Sequence, residues 1–364
     1  MNHYKLLTPG PLTTTSSVKE EMLMDRCTWD NDYKIITQKI RSQLLDLAGA
    51  SKEEYTAVLM QGSGTFAVEA VMNSTISNRD KALIITNGAY GDRIVKIAQS
   101  IGLAFYQYAV AYDQYPNEEE IRNILIEEPD ITHIVMVHCE TTTGILNPIE
   151  MISNLSKEFG RTLIIDAMSS FGGIEIDVPG LGIDYLISSA NKCIQGVPGF
   201  GFVIAKIEKL LACEGISRSL SLDLFDQWKE MDKDGKWRFT SPTHVVAAFS
   251  KALDELEEEG GIPARFSRYQ KNNHILRERL KKVGFEAYLP EEKQSPIITT
   301  FRYPSDDFHF EHFYTFVKEK GYVLYPGKLT NERTFRIGNI GEIYEEDIEE
   351  LCDIIETYIG VVKK

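Results

Sequence analysis

The chain has 364 residues, 43% of them apolar and 26% charged, the balance of a globular protein with room for a substantial core. Its 39 basic and 54 acidic residues leave a formal charge of −15. No basic surplus exists to neutralise nucleic-acid phosphates, although a few converging amides and arginines can still hold a small anion. No apolar run reaches the ~20 residues of a membrane span, and "MNHYKLLTPGPLTT" lacks the apolar core of a signal peptide. Cys27, Cys139, Cys193, Cys213 and Cys352 are scattered without CxxC spacing, which points to reduced thiols in the cytoplasm rather than to disulfides or a structural zinc.

Short apolar strands alternate with helical patterns through the first 250 residues. "YTAVLM" (55–60) predicts a strand, then Gly62-Ser63-Gly64-Thr65 a turn, then "TFAVEAVMNSTI" (65–76) a helix. Backbone amides at such a helix start can cup a phosphate. The same residues match G-x-G-x-x-A (Gly62, Gly64, Ala67), a dinucleotide fingerprint. The next strand, "ALIIT" (82–86), runs into Asn87-Gly88-Ala89-Tyr90 without the acid a ribose would need, which disfavours a nucleotide-binding oxidoreductase. Tyr90 falls on a glycine-flanked turn, where it either packs over a loop or stacks on a flat ligand.

A helix over "DRIVKIAQSI" (92–101) and strands "AFYQYAV" (104–110) and "HIVMVH" (133–138) follow. "HCETTTGILNP" puts the hydroxyls of Thr141 and Thr143 at a strand end, where most such groups satisfy turns. After a helix "IEMISNLSKEF" (149–159), strand "TLIID" (162–166) ends on Asp166. Strand "DYLISS" (184–189) leads to Lys192, and "GFVIA" (201–205) follows a glycine-rich turn. Continuously apolar strands with crossovers of this length imply an α/β protein with a mainly parallel sheet between helices. In such sheets the carboxyl ends of the strands form the ligand crevice. Asp166 and Lys192 lie 26 residues apart (192 − 166), a strand and a connection, so both can reach one rim. They could form a mere salt bridge. They could also be the two contacts of pyridoxal 5′-phosphate (PLP), a lysine Schiff base and a carboxylate at the ring nitrogen.

Beyond "GKWRFTSPTH", which places Thr240 in a turn-rich segment, the pattern changes. The acidic run 254–259 reads as a solvated helix end, a long helix is expected from Pro263 to Val283, and strands "SPIITTFRY" and "TFRIGNI" come with helices near 309–320 and 345–359. This predicts a large domain at 21–253 and a smaller α+β domain at 254–364, with residues 1–20 packing on the latter. Arg336 falls inside a strand, where a guanidinium requires an anionic partner. His309 and His312 have no further ligand nearby, so no metal is expected, and Cys193 has no histidine placed to activate it.

Taken together, "LLTPGPLTT", "CTWDNDY", "QGSGTFAVEAV", "NGAYGDR", "ETTTG", "DAMSSFGG", "SSANKCIQGVPGFGFVIA", "KWRFTSPTH", "YPGK" and "FRIGNIGE" closely resemble the class V, fold-type I, PLP-dependent aminotransferases over almost the whole chain. Within that class "CTWD", "SSANKCIQGVPG" and "KWRFTSPTH" point to the branch acting on an aminophosphonate and pyruvate, with alanine–glyoxylate or serine–pyruvate types as the alternative. The resemblance implies that Lys192 carries the cofactor, Asp166 pairs with its ring nitrogen and Tyr90 stacks on its ring. It implies that Gly62, Ser63, Gly64 and Thr65 form the phosphate cup and that Thr141 lies near the ring. Thr240 would reach the phosphate in the neighbouring subunit of a homodimer, and Arg336 would bind the anionic end of each substrate.

Overall fold

The computed structural model describes residues 4–362 except 328, 330 and 331, with side chains described up to 360. Lys328, the last residue of "YPGK", therefore lies outside the described residues. The strands are β1 (Lys5–Leu6), β2 (Tyr55–Gln61), β3 (Lys81–Thr86), β4 (Ala104–Ala109), β5 (Ile131–Val137), β6 (Cys139–Glu140), β7 (Ile145–Leu146), β8 (Thr162–Asp166), β9 (Tyr185–Ser189), β10 (Phe200–Lys206), β11 (Ile298–Arg302), β12 (Tyr322–Val323), β13 (Tyr325–Pro326) and β14 (Thr334–Gly338). The helices of the first half are α1 (Ser16–Glu20), α2 (Asn31–Leu47), α3 (Gly64–Thr75), α4 (Ala89–Ser100), α5 (Glu118–Glu127), α6 (Ile149–Phe159) and α7 (Val178–Leu181). Those of the second are α8 (Ile207–Leu211), α9 (Leu224–Asp234), α10 (Thr243–Glu258), α11 (Gly261–Lys282), α12 (Phe310–Glu319) and α13 (Glu345–Val362).

Seven strands form the central sheet in the order β2-β10-β9-β8-β5-β3-β4. The pairs β3/β4, β3/β5, β5/β8 and β8/β9 are parallel, as the continuously apolar strands predict. Strand β10 runs antiparallel to both β2 and β9. Its residues are buried on both faces, so apolarity could not reveal its direction. Apolar side chains from alternate positions feed two cores, one on each side of the sheet. Leu83, Ile165 and Leu186 enter one, and Ile84, Ile164 and Ile187 the other.

A second, three-stranded sheet, β11-β14-β13, packs with α11 and α13 around its own phenylalanine-rich core. Leu7 belongs to that core, and β1 pairs in parallel with β12, so the chain's first described residues are tied to its second half. Helix α2 was not among the expected elements, although Tyr33, Thr37, Ile40, Arg41, Leu44 and Leu45 give it a buried stripe at helical spacing. Helix α5 buries only Ile121 and Leu125, too thin a stripe to register. The acidic run lies at the end of α10, which continues to Glu258.

Candidate active site

Strands β8 and β9 are parallel neighbours, with Asp166 opposite Ile187, so their carboxyl ends open on the same side of the sheet. A pocket there is lined by Ser63, Gly64, Thr65, Tyr90, Asp166 and Lys192, six of the residues singled out from the sequence, together with Arg93, Met168 and Asn191. Chain segments more than 120 residues apart thus converge by topology alone.

Lys192 sits on a loop held from several directions. Its carbonyl accepts from Gln195 N at 2.7 Å, and Gln195 is the single non-glycine residue with positive φ among the described residues (φ 69°). That costly conformation is stabilised by the Gln195 amide, which donates to Tyr269 Oη at 2.7 Å and to the Gly341 carbonyl at 2.9 Å. The Arg265 guanidinium donates to the carbonyls of Cys193 and Ile194. Lys192 Nζ donates to the carbonyl of Pro9 at 2.7 Å, so the N-terminal "TPGP" segment touches the lysine amine. Burial pushes the Lys192 amine below its ordinary value, with Tyr90, Cys193 and Asp166 pulling the other way, which favours a neutral amine. The neighbouring Cys193 thiol is pushed up to about 12 by burial and stays protonated, as expected for a residue without an activating base.

Asp166 is 5% exposed. Its Oδ1 accepts from Met168 N at 2.9 Å, and Oδ2 makes no hydrogen bond among the described residues. Burial, with the Glu140 carboxyl adding to it, raises Asp166 to about 6, against the Met168 amide, Lys192 and Arg93. A carboxyl this uncomfortable is poised to pair with a cation in the pocket.

The phosphate-cup candidates divide. Ser63 is the N-cap of α3 with extended backbone (φ −80°, ψ 170°), and its side chain makes no cap hydrogen bond. The hydroxyl and the first amides of α3 are therefore left for an anion. A Cβ at Gly64 would meet the Met168 thioether, so that side chain would have to shift to admit one. Thr65 Oγ1 accepts from Arg93 Nη1 at 3.3 Å. Gly62 does not line this pocket. It has φ 117° and packs against Phe66, so it makes the turn that presents the cup rather than forming its wall.

Tyr90 lies in the first turn of α4 rather than on a turn before it, because the helix begins at Ala89, three residues ahead of the expected start at 92. The helix starts there because Glu140 and Thr142 accept its first amides: Ala89 N donates to Thr142 Oγ1 at 2.9 Å, and Tyr90 N and Gly91 N donate to Glu140 Oε2 at 3.1 Å. The guanidinium of Arg93, one turn on, lies 4.8 Å from the centre of the Tyr90 ring. Glu140 and Arg93 both sit in motifs quoted from the sequence, yet neither was singled out. The signal was an acid inside an otherwise apolar and hydroxyl-rich strand end.

Arg336 is fully buried in β14. It donates from Nε to Pro326 O at 3.0 Å and from Nη1 to Thr141 O at 2.9 Å, while Nη2 is buried with no hydrogen-bond partner among the described residues. No ion pair to a protein acid is found for it there; burial lowers its pKa against the nearby Tyr90 and Tyr325 hydroxyls and the Glu140 carboxyl, and its guanidinium lies 4.8 Å from the centre of the Tyr325 ring. Thr141 therefore contributes its carbonyl to Arg336, and Thr143 Oγ1 donates to Tyr112 O at 3.3 Å, a turn contact. Thr240 is exposed, beside the exposed Phe239, and does not line the pocket. His309 and His312 are exposed.

Against known proteins, the family described as "Aminotransferase class-V" matches residues 27–341. A curated relative from Lysinibacillus sphaericus (strain C3-41), named 2-aminoethylphosphonate–pyruvate transaminase, is 62% identical over 99% of each chain. One from Bacillus cereus (strain G9842) with the same name is 57% identical over 97% of each. Among solved structures, pyridoxamine–pyruvate aminotransferase from Mesorhizobium loti superposes with TM-score 0.91 at 20% identity, covering 100% of this chain and 94% of that one. Alanine–glyoxylate aminotransferase from Nostoc sp. does so with TM-score 0.88 at 24% identity, covering 98% and 95%. Both structural likenesses establish the fold.

Proposed function

Since the chain belongs to the class-V aminotransferases, we propose that it moves the amine of 2-aminoethylphosphonate to pyruvate, giving phosphonoacetaldehyde and L-alanine. The substrate assignment is supported by two relatives of that name, 62% and 57% identical over nearly the full length. The chemistry is supported by one arrangement, a buried acid and a depressed-pKa lysine at adjacent strand ends beside an open helix N-terminus.

The pocket residues fit PLP. Ser63, Gly64 and Thr65 offer an unbonded hydroxyl and helix-start amides to a phosphate, Tyr90 offers a ring face, and Asp166 has an oxygen to spare. When bound, PLP supplies an electron sink for the charge that develops at the amine-bearing carbon. Lys192 would hold it and, as a neutral amine, carry the proton to and from that carbon. Asp166 would keep a proton on the ring nitrogen by remaining charged beside it. Arg336 would receive the phosphonate in one half-reaction and the carboxylate in the other, its Nη2 being the donor not taken by protein carbonyls.

The same proposal includes a homodimer in the cytoplasm, with Thr240 completing the partner's phosphate cup. Its support is that Thr240 is exposed, next to Phe239, and that Trp29, Phe66 and Leu220 are exposed as well. It also retains the division at 21–253 and 254–364, residues 5–7 being tied to the latter through β1 and Leu7, whereas Val18 packs into a core of the former. No helix among the described residues is long and apolar enough to cross a membrane. The deciding experiment measures alanine formed from pyruvate by the purified yellow protein with 2-aminoethylphosphonate and with other amines. Turnover with serine or another amino acid, and none with the phosphonate, would overturn the substrate assignment.

A further inference from the structure

Glu140 is a fully buried carboxylate that is not in the wall of the candidate site and makes no salt bridge among the described residues, although its charge acts on Arg336, which calls for an explanation. Its two oxygens receive four donors. Oε2 accepts the amides of Tyr90 and Gly91, both at 3.1 Å, and Oε1 accepts the amide of Thr142 at 3.1 Å and its hydroxyl at 2.6 Å. Because the Thr142 hydroxyl spends its hydrogen on Glu140, its oxygen is free to accept the Ala89 amide. The next amide, Asp92 N, makes the first backbone bond to Gly88 O at 3.0 Å. The amides of Ala89, Tyr90 and Gly91, the first three of α4, are thus taken up by one segment, 140–142, which starts in β6. Gly88 makes the approach possible, since a Cβ there would run into the Glu140 carboxyl. A helix N-terminus is also where a buried negative charge is best tolerated.

We infer that Glu140 is a positioning residue for the transamination pocket: by anchoring the start of α4 it fixes where Tyr90 and Arg93 meet the bound cofactor. This rests on the proposed PLP site. Only a carboxylate suits the role, because all four partners donate. A glutamine would turn its NH₂ towards either the Tyr90 and Gly91 amides or the Thr142 amide. Burial raises the Glu140 carboxyl above its ordinary value, while Thr142, Gly91 and Tyr90 hold it down, so these donors are what keep a charge tolerable there.

The test compares Glu140→Gln with the unmodified protein by amide hydrogen exchange, PLP titration and circular dichroism in the visible cofactor band. The Tyr90 and Gly91 amides should exchange roughly 10- to 100-fold faster, the cost of stranding a buried donor. The PLP dissociation constant should rise about tenfold or more with a weaker dichroic band, while amides of β8 and α6 stay unchanged. Unchanged exchange at Tyr90 and Gly91 would overturn the inference. So would faster exchange with cofactor affinity and dichroism intact, because the cap would then be structural only. If Glu140→Gln does not fold, Thr142 decides. Thr142→Val should speed exchange at Ala89 and weaken PLP, Thr142→Ser should restore both, and a Thr142→Val protein like the unmodified one would reject the role. Failure of the unmodified protein to bind PLP would overturn the functional proposal instead, and the exchange rates would still report whether Glu140 anchors α4.

Discussion

Lys192 reaches the same edge of the sheet as Asp166 because β8 and β9 run parallel, and its amine rests on the Pro9 carbonyl at 2.7 Å. That neutral acceptor holds the amine in place and adds no carboxylate attraction of its own to the pull of Asp166, which burial outweighs. Replacing the lysine should therefore remove chemistry and leave the fold. Lys192→Ala is expected to lower turnover by at least the ~10²–10⁴-fold that a placed general base supplies. It should also abolish the yellow colour and leave the melting temperature equal or higher. Purified Lys192→Ala retaining colour and normal turnover would refute the assignment.

Gly10 makes that contact possible. It has φ 113°, and a Cβ there would stand 2.8 Å from the Asn191 carbonyl oxygen and 2.9 Å from Lys192 Nζ. Gly10→Ala meets backbone on one side and the reactive amine on the other, with a conformation L-residues avoid. The expected result is a protein less stable by about 1–3 kcal/mol with turnover reduced well beyond what stability explains. Equal kcat and equal urea midpoint would show that the segment yields at no cost.

Asp166 gives a pH signature in the cofactor-free protein. Its folded pKa is raised to about 6, so between its ordinary value and pH 6 the folded state holds a proton that the unfolded state has lost. Stability contributed by this group then falls as pH rises through that window. At pH 7.5 the cost is on the order of 2–3 kcal/mol. Asp166→Asn should thus stabilise the apoprotein at pH 7.5, and the gain should close towards pH 4, where the native carboxyl is protonated anyway. Glu140, Lys192 and Arg93 act on this carboxyl in both directions, so the comparison is between variant and unmodified protein at each pH. A stability difference independent of pH, measured by urea unfolding at both values, would contradict this. Activity should be lost in the same variant.

The central strands and the Asp166–Lys192 pair were legible because burial imposes apolar runs and chain topology brings strand ends together. The direction of β10 was not, since a strand buried on both faces reads alike either way. Tyr90 was expected on a turn and lies in a helix, because the acceptors that start α4 come from Glu140 and Thr142, 50 residues away in sequence. Local chemistry at "NGAYGDR" carries no trace of them. The Pro9 contact of Lys192 spans 183 residues and was equally invisible. Arg336 was legible as a buried arginine, but the acceptors of its recorded hydrogen bonds proved to be carbonyls rather than an acid, with the Tyr325 ring against its guanidinium.

Those carbonyls define the last prediction. With Nε on Pro326 and Nη1 on Thr141, the guanidinium is held in one orientation and presents Nη2 as the nitrogen left without a hydrogen bond among the described residues. A lysine has one nitrogen, which cannot keep both carbonyls and also meet a phosphonate or carboxylate. Arg336→Lys should therefore slow both half-reactions by roughly 10- to 100-fold, the worth of a hydrogen bond to a charged group. The two can be separated by mixing the aldehyde form of the enzyme with 2-aminoethylphosphonate, and the aminated form with pyruvate, while following cofactor absorbance. Slowing of only one would mean that the two anions use different donors, and that Arg336 serves as the ligand of a single substrate.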